Sequence, residues 1–191
     1  FLADATPTTF LPNFDILREQ LARVGRIRLV IANYSQYSSR YDKLKDGMIP
    51  NVFNLRFEGG ALQDIGYYIV YLAAALFGRP GDITYFPNIC HTKVDTSGII
   101  VMEYPDFICE GAVAKDTRGV NFVQIEGEDG YIYVEDGPNG IAGVKVVVNG
   151  REETFNEQPN PAGFDELIHP EYSNRWYYEI QKLTEILLKE D

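Results

Sequence analysis

One helix-periodic stretch, followed by little but strands, sets the fold class of this chain. Leu62, Ile65, Ile69, Leu72 and Leu76 recur at helical spacing and make a single apolar stripe. Gly59 and Gly60 open the stretch, and Gly78, Pro80 and Gly81 close it as glycine and proline do past a helix C-terminus. The spacing predicts a helix over 60–77. After it come short apolar segments at 83–91, 98–104, 107–114, 121–125, 131–134, 144–148 and 151–155. Pro105-Asp106 reads as a tight turn, Gly127-Glu128-Asp129-Gly130 and Asp136-Gly137-Pro138-Asn139-Gly140 as turn clusters. Asn149-Gly150 supplies the positive φ angles of a type I′ hairpin.

Before the central helix, Asn13 is placed to cap a helix to about Val24, with Phe14, Leu17 and Leu21 on one face and Gly25 as its stop. Residues 26–34 alternate, with Ile27, Leu29 and Ile31 facing one way, which reads as a half-buried strand. Residues 34–54 are polar and aromatic, with one helical turn expected over 40–45. Prolines at 159, 161 and 170 and Gly163 exclude long regular structure there. Ser173 is expected to cap a last helix to about Lys189, striped by Trp176, Ile180, Leu183 and Leu187. Hairpins beside a few helices predict an α+β fold: an open, mainly antiparallel sheet of six or seven strands, with helices packed on one face.

Asp64 and Tyr68 stand four apart, so a carboxylate and a phenol share a face near the start of the central helix. By spacing alone that pair is ordinary: a first-turn Asp suits the helix dipole, and Tyr68 suits a half-buried aromatic position. The surrounding pattern adds to it. Gly59-Gly60-Ala61-Leu62-Gln63-Asp64-Ile65-Gly66-Tyr67-Tyr68 resembles the motif of the glucose–fructose oxidoreductase, inositol dehydrogenase and MocA family, in the branch with Tyr at the last position. Ser39-Arg40-Tyr41-Asp42-Lys43-Leu44-Lys45-Asp46-Gly47, Pro50-Asn51-Val52-Phe53-Asn54, Leu76-Phe77-Gly78-Arg79-Pro80 and Ile125-Glu126-Gly127-Glu128-Asp129-Gly130-Tyr131-Ile132 agree with it. The whole pattern looks most like dihydrodiol, sugar and polyol dehydrogenases.

That resemblance implies the substrate-binding, C-terminal domain of a nicotinamide-dependent dehydrogenase. Its substrate would be a sugar, polyol or dihydrodiol, and NAD or NADP would be held mainly by a separate nucleotide-binding domain. Tyr68 would be the proton donor or acceptor, Asp64 would orient a partner or hold a substrate hydroxyl, and Arg40 and Asn54 are weaker candidates for hydroxyl contacts. No Gly-x-Gly-x-x-Gly and no Glu-Lys-Pro occurs. Residues 1–5 are therefore expected to be the last strand of that other domain, and residues 6–191 the substrate-binding and oligomerisation domain, short of its final helix. This piece alone is expected to be inactive and to bind no cofactor. A non-catalytic sugar-binding module, or an assembly domain, is the alternative; the latter is favoured if Tyr68 points into the core.

Charge and composition narrow the partners. Seventeen Lys and Arg against 28 Asp and Glu leave −11, which repels phosphate backbones and anionic lipid, so no nucleic-acid or membrane partner is expected. No apolar run reaches the ~20 residues of a membrane span, no signal peptide is visible, and a cytoplasmic location is expected. Cys90 and Cys109 are read as reduced and buried in strands. His91 and His169 lack ligand-spaced companions, so no metal site is expected. Strands such as 99–104 are apolar on both faces, and three legible helices cannot cover both sides of the sheet, so a homodimer or larger assembly through the open face is expected.

Overall fold

In the computed structural model, residues 6–158 and 175–188 are described. The strand expected over residues 1–5, the proline-rich stretch from Pro159, His169 and the Ser173 cap lie outside them. Eight strands form one sheet: β1 (Ile27–Ser35), β2 (Asp82–Ile89), β3 (Asp95–Glu103), β4 (Ile108–Ala114), β5 (Phe122–Gly127), β6 (Gly130–Glu135), β7 (Gly143–Val148) and β8 (Arg151–Phe155). Their order is β2-β3-β4-β1-β5-β6-β7-β8. Only β1 and β4 run parallel; every other neighbour is antiparallel. The sheet is thus open and mainly antiparallel as expected, with more strands than the six or seven expected.

The helices are α1 (Pro12–Gln20), α2 (Ser39–Lys45), α3 (Tyr67–Phe77), α4 (Gly137–Gly140) and α5 (Arg175–Leu188). A π-helical turn over Leu62–Gly66 leads into α3, so the expected 60–77 helix is one path in two geometries. Ile65, Ile69 and Leu72 of its stripe are buried, and they join Val30, Ala32, Ile100, Met102, Cys109 and Ile125 in one core on one sheet face. The stretch Leu55–Phe77 is, by length and composition only, apolar enough to be a candidate membrane span. Only the part from Leu62 to Phe77 is the helix laid on the sheet; Leu55–Phe57 is a separate 3₁₀ turn, divided from it by Gly59-Gly60, and Arg56, Glu58 and Asp64 interrupt the apolar stretch.

Several local expectations change for identifiable reasons. Asn13 does not cap α1. It is fully buried inside the first turn, donates to the Ile141 carbonyl at 2.7 Å and accepts from the Glu157 amide at 2.8 Å. The helix instead begins after Leu11 with Pro12 at its first position, where a missing N–H costs nothing. In the turn cluster Asp136-Gly137-Pro138-Asn139-Gly140, Gly137–Gly140 form the buried one-turn helix α4. In β1 the buried side is Val30, Ala32 and Tyr34, so Leu29 and Ile31 belong to the opposite, half-exposed face, while Ile27, beyond a register shift, packs against the core. In α5 the apolar stripe is not the packed side: Trp176, Ile180 and Leu187 are exposed, while Glu179 is buried. That helix packs on the 3₁₀ turn Pro7–Phe10.

The hairpin readings hold. Asn149 and Gly150 take φ angles of 51° and 74° between β7 and β8. Ile100 and Met102 are buried while Ile99 and Val101 lie on the other side of β3. Cys109 is buried in β4, but Cys90 is half-buried just past β2.

Candidate functional site

The Gly-Gly turn is held by close backbone packing. A Cβ at Gly59 would stand 2.6 Å from the Val52 carbonyl oxygen, and one at Gly60, where φ is +143°, would strike the Asp95 carboxylate. Only glycine fits either position. Asp95, at the start of β3, accepts the Leu62 amide at 2.7 Å and the Tyr85 hydroxyl at 2.6 Å. A carboxylate from a distant strand therefore caps the motif helix, where its charge also meets the positive end of the helix dipole. Burial, and then the bond to Asp95, push the Tyr85 phenol well above its ordinary pKa.

Asp64 lies within the π turn, and its side chain is 46% exposed. Its Oδ2 pairs with Lys115, the residue that follows β4, whose side chain is only 5% exposed. Asp64 lines an open cleft of about 230 Å³ together with Arg40, Phe57, Glu58 and Gln63. Single π turns inside helices recur at functional sites, because the extra residue re-aims side chains.

Tyr68 is half-buried, and its ring meets the edge of Tyr34 at 5.8 Å and lies 4.2 Å from Tyr67. Tyr34 in turn accepts from the amide of buried Asn139 at 2.5 Å. Tyr34 pairs in register with Val113, two residues before Lys115. Asp64 and Tyr68 thus reach the C-terminal ends of the one parallel strand pair, β1 and β4. Asp64 lines the cleft and Tyr68 does not.

Arg40 stands in the first turn of α2, capped by Ser38, and reaches the cleft beside Asp64. Asn54 serves its own turn instead. Its Oδ1 accepts the Arg56 amide at 3.0 Å, and its carbonyl accepts from Gly59 at 3.2 Å. Lys115 and Asp95 are absent from the sequence-based candidates. The one signal for either was that a carboxylate on a largely apolar helix asks for a cation and a helix start asks for a cap.

Among the described residues no group of three His, Cys, Asp or Glu side chains could hold a metal. A dinucleotide's phosphates find no cradle in the motif turn: its glycines are filled by backbone and by Asp95, whose carboxylate already occupies the Leu62 N–H. That turn does not fit the group.

The profile of the GFO/IDH/MocA C-terminal domain family matches residues 17–133. The uncharacterized oxidoreductase YgjR of Escherichia coli is 41% identical over 134 residues, covering 70% of this chain and 41% of that protein. The NADP(+)-dependent scyllo-inositol 2-dehydrogenase IolU of Bacillus subtilis is 37% identical over the same length and shares. Human trans-1,2-dihydrobenzene-1,2-diol dehydrogenase is 26% identical over 190 residues, covering 94% of this chain and 53% of that enzyme. The chain spans between 41% and 53% of the length of these relatives. Among solved structures, the 3-ketoreductase KijD10 of Actinomadura kijaniata with NADP and TDP-benzene superposes with a TM-score of 0.71 at 16% identity, over 98% of this chain and 55% of that one. An inositol dehydrogenase homolog of Azotobacter vinelandii complexed with NAD+ gives 0.69 at 15% identity, over 91% and 50%.

Proposed function

Because the chain belongs to the GFO/IDH/MocA C-terminal domain family, we propose that it is the substrate-binding part of a nicotinamide-dependent oxidoreductase acting on a sugar, polyol or dihydrodiol. The observation that carries this reading is Asp64, anchored by Lys115 and lining a cleft at the C-terminal ends of β1 and β4. A carboxylate fixed by one oxygen is a ready acceptor for a substrate hydroxyl. Tyr68, on the same helical path, is the proton donor or acceptor at the substrate oxygen, a role a phenol fills when its surroundings bring its pKa toward the working pH. Arg40 supplies a hydrogen-bond donor to a further hydroxyl across the cleft, with Asn54 behind it. NAD or NADP, held outside the described residues by a nucleotide-binding domain spanning the rest of the protein, would supply the hydride acceptor. The full protein is expected in the cytoplasm, assembled through the open face of the sheet.

A second reading, a non-catalytic sugar-binding or assembly unit, has one observation in its favour. Tyr68 packs on Tyr34 at the edge of the core and does not line the cleft. The intact protein distinguishes the two. Reduction of NAD+ or NADP+ with scyllo-inositol, myo-inositol or a vicinal dihydrodiol is expected. Binding of these compounds with no nicotinamide reduction by the intact protein would favour the second reading.

A further inference from the structure

Lys115 is the most deeply buried cation in an ion pair among the described residues. Its side chain is 5% exposed, against 32% for Lys145, the next most buried. Burying an ammonium carries a desolvation penalty that pairing only partly offsets, and an apolar side chain of similar volume serves a fold at least as well. Stability alone therefore gives little reason for a lysine at this point.

Its surroundings give another. The Lys115 amide donates to the Thr96 carbonyl at 2.8 Å, and the Lys115 carbonyl accepts from the Ser38 amide at 2.9 Å, so the backbone is pinned from both sides. The ammonium then reaches out to Asp64 Oδ2. Asp64 Oδ1 has no hydrogen bond among the described residues, and the side chain stands at the cleft. A lone carboxylate on the surface of a helix samples several rotamers. Held by Oδ2 from a fixed strand end, its plane is set, and Oδ1 has one direction left. Because the charge of Asp64 is matched from beneath, the acceptor suits a neutral polyhydroxy compound.

Resting on the reading of Asp64 given above, we infer that Lys115 is a positioning residue: it orients the Asp64 carboxylate so that one substrate hydroxyl is accepted in one geometry. Lys115 itself does not touch the substrate.

The test uses the intact protein with scyllo-inositol and NADP+ as probes. Lys115→Met keeps the length of the side chain and removes the charge. The expected result is an unchanged or higher Tm, with kcat/KM lower by about 10–100-fold, since misplacing an orienting group costs on that order. Adding Lys115→Met to Asp64→Asn is expected to cost nothing beyond Asp64→Asn alone, because the lysine acts through that carboxylate. Lys115→Arg is expected to recover part of the loss by restoring a cation. If Lys115→Met fails to fold, Lys115→Gln takes its place with the same expected loss. A lower Tm with unchanged kcat/KM would assign Lys115 to the fold and overturn the inference. Asp64→Asn lowering kcat/KM while the Lys115 variants do not overturns the inference alone. Asp64→Asn without effect overturns the assigned role of Asp64 and the inference with it.

Discussion

Asp95 accepts the backbone N–H of Leu62 at 2.7 Å, so the motif helix is capped by a side chain 33 residues further along the chain. The same carboxylate oxygen accepts from Tyr85 of β2. One residue thereby ties the start of the central helix to the β2–β3 edge of the sheet. Asp95→Ala is expected to destabilise the protein by about 1–2 kcal/mol, the usual cost of a lost N-cap, with a further loss from the Tyr85 hydroxyl left without its acceptor. Chemical denaturation would measure it. Tyr85→Phe should cost less, since Asp95 keeps Leu62; equal losses for the two variants would contradict the capping role.

Gly60→Ala should be more damaging than its single methyl suggests. The residue sits at φ +143°, and the new Cβ would enter the Asp95 carboxylate. Backbone strain of this kind costs about 1–3 kcal/mol, and moving Asp95 removes the cap as well. The two effects share one carboxylate, so Gly60→Ala and Asp95→Ala combined should cost less than their sum. A thermal shift for the double variant equal to the sum of the single shifts would show that the two sites are independent.

What the sequence revealed and what it hid divide along one line. Asn149-Gly150 and Pro105-Asp106 were legible because a turn's φ demands are met by the residues in the turn. The stripe Ile65, Ile69, Leu72 was legible because one helix buries one face. The partners of Asp64 and Leu62 were not, since Lys115 and Asp95 lie 51 and 33 residues away and reach the helix only because β3 begins and β4 ends beside it. The same holds for β1. Its alternation fixed two faces, but only the packing of Ile65, Ile69 and Leu72 on the sheet made the Val30–Ala32–Tyr34 side the buried one. Asn13 looked like a cap because capping is local, whereas its real partners, Ile141 and Glu157, come from the far end of the chain.

In the intact protein, Tyr68→Phe is expected to lower kcat by ~10²–10⁴-fold with little change in KM, because the phenol's proposed role arises only as the proton moves. The Tyr34–Tyr68 ring contact survives the substitution, so the fold should not suffer. Asp64→Asn should raise KM more and lower kcat less, as its role is to hold a hydroxyl. Steady-state kinetics with a near-normal kcat for Tyr68→Phe would remove the phenol from the mechanism.

Alkaline stability should report on Cys109. Burial, and to a lesser degree the charge of Glu110, push its thiol from 9.0 up to about 12. The folded state therefore favours the neutral thiol. That contribution is fully present below pH 9.0 and is lost as pH rises through about 12, because the unfolded chain ionises first. Cys109→Val, beside the small apolar cavity lined by Val30, Ile69 and Leu72, should flatten the decline. Tyr104, raised to about 12 mainly by burial, would leave a residual slope. Urea midpoints across this alkaline range would test it; identical curves for the two proteins would show that Cys109 carries none of the decline.

Self-association through the open face of the sheet is the outcome expected from what that face displays. In register across the strands, Phe86 faces Ile99, and Ile99 faces Ala112. The next rows bring Val101, Ile31, Ile108 and Leu29 to the same side. Phe86 is 60% exposed and Ile108 41%. Glu103, Glu110 and Glu126 interrupt the rows, so the face is amphipathic and not uniformly apolar. A partly apolar face of this kind is covered at least cost by a second copy of itself about a two-fold axis. Light scattering of the intact protein at tens of micromolar should give at least a dimer. Ile99→Lys, whose ammonium would stand between Phe86 and Ala112, should give a monomer with an unchanged far-UV spectrum, because Ile99 lies on the side away from the helices. A wild-type protein that stays monomeric, or an Ile99→Lys variant that still dimerises, would show that this face is not the interface.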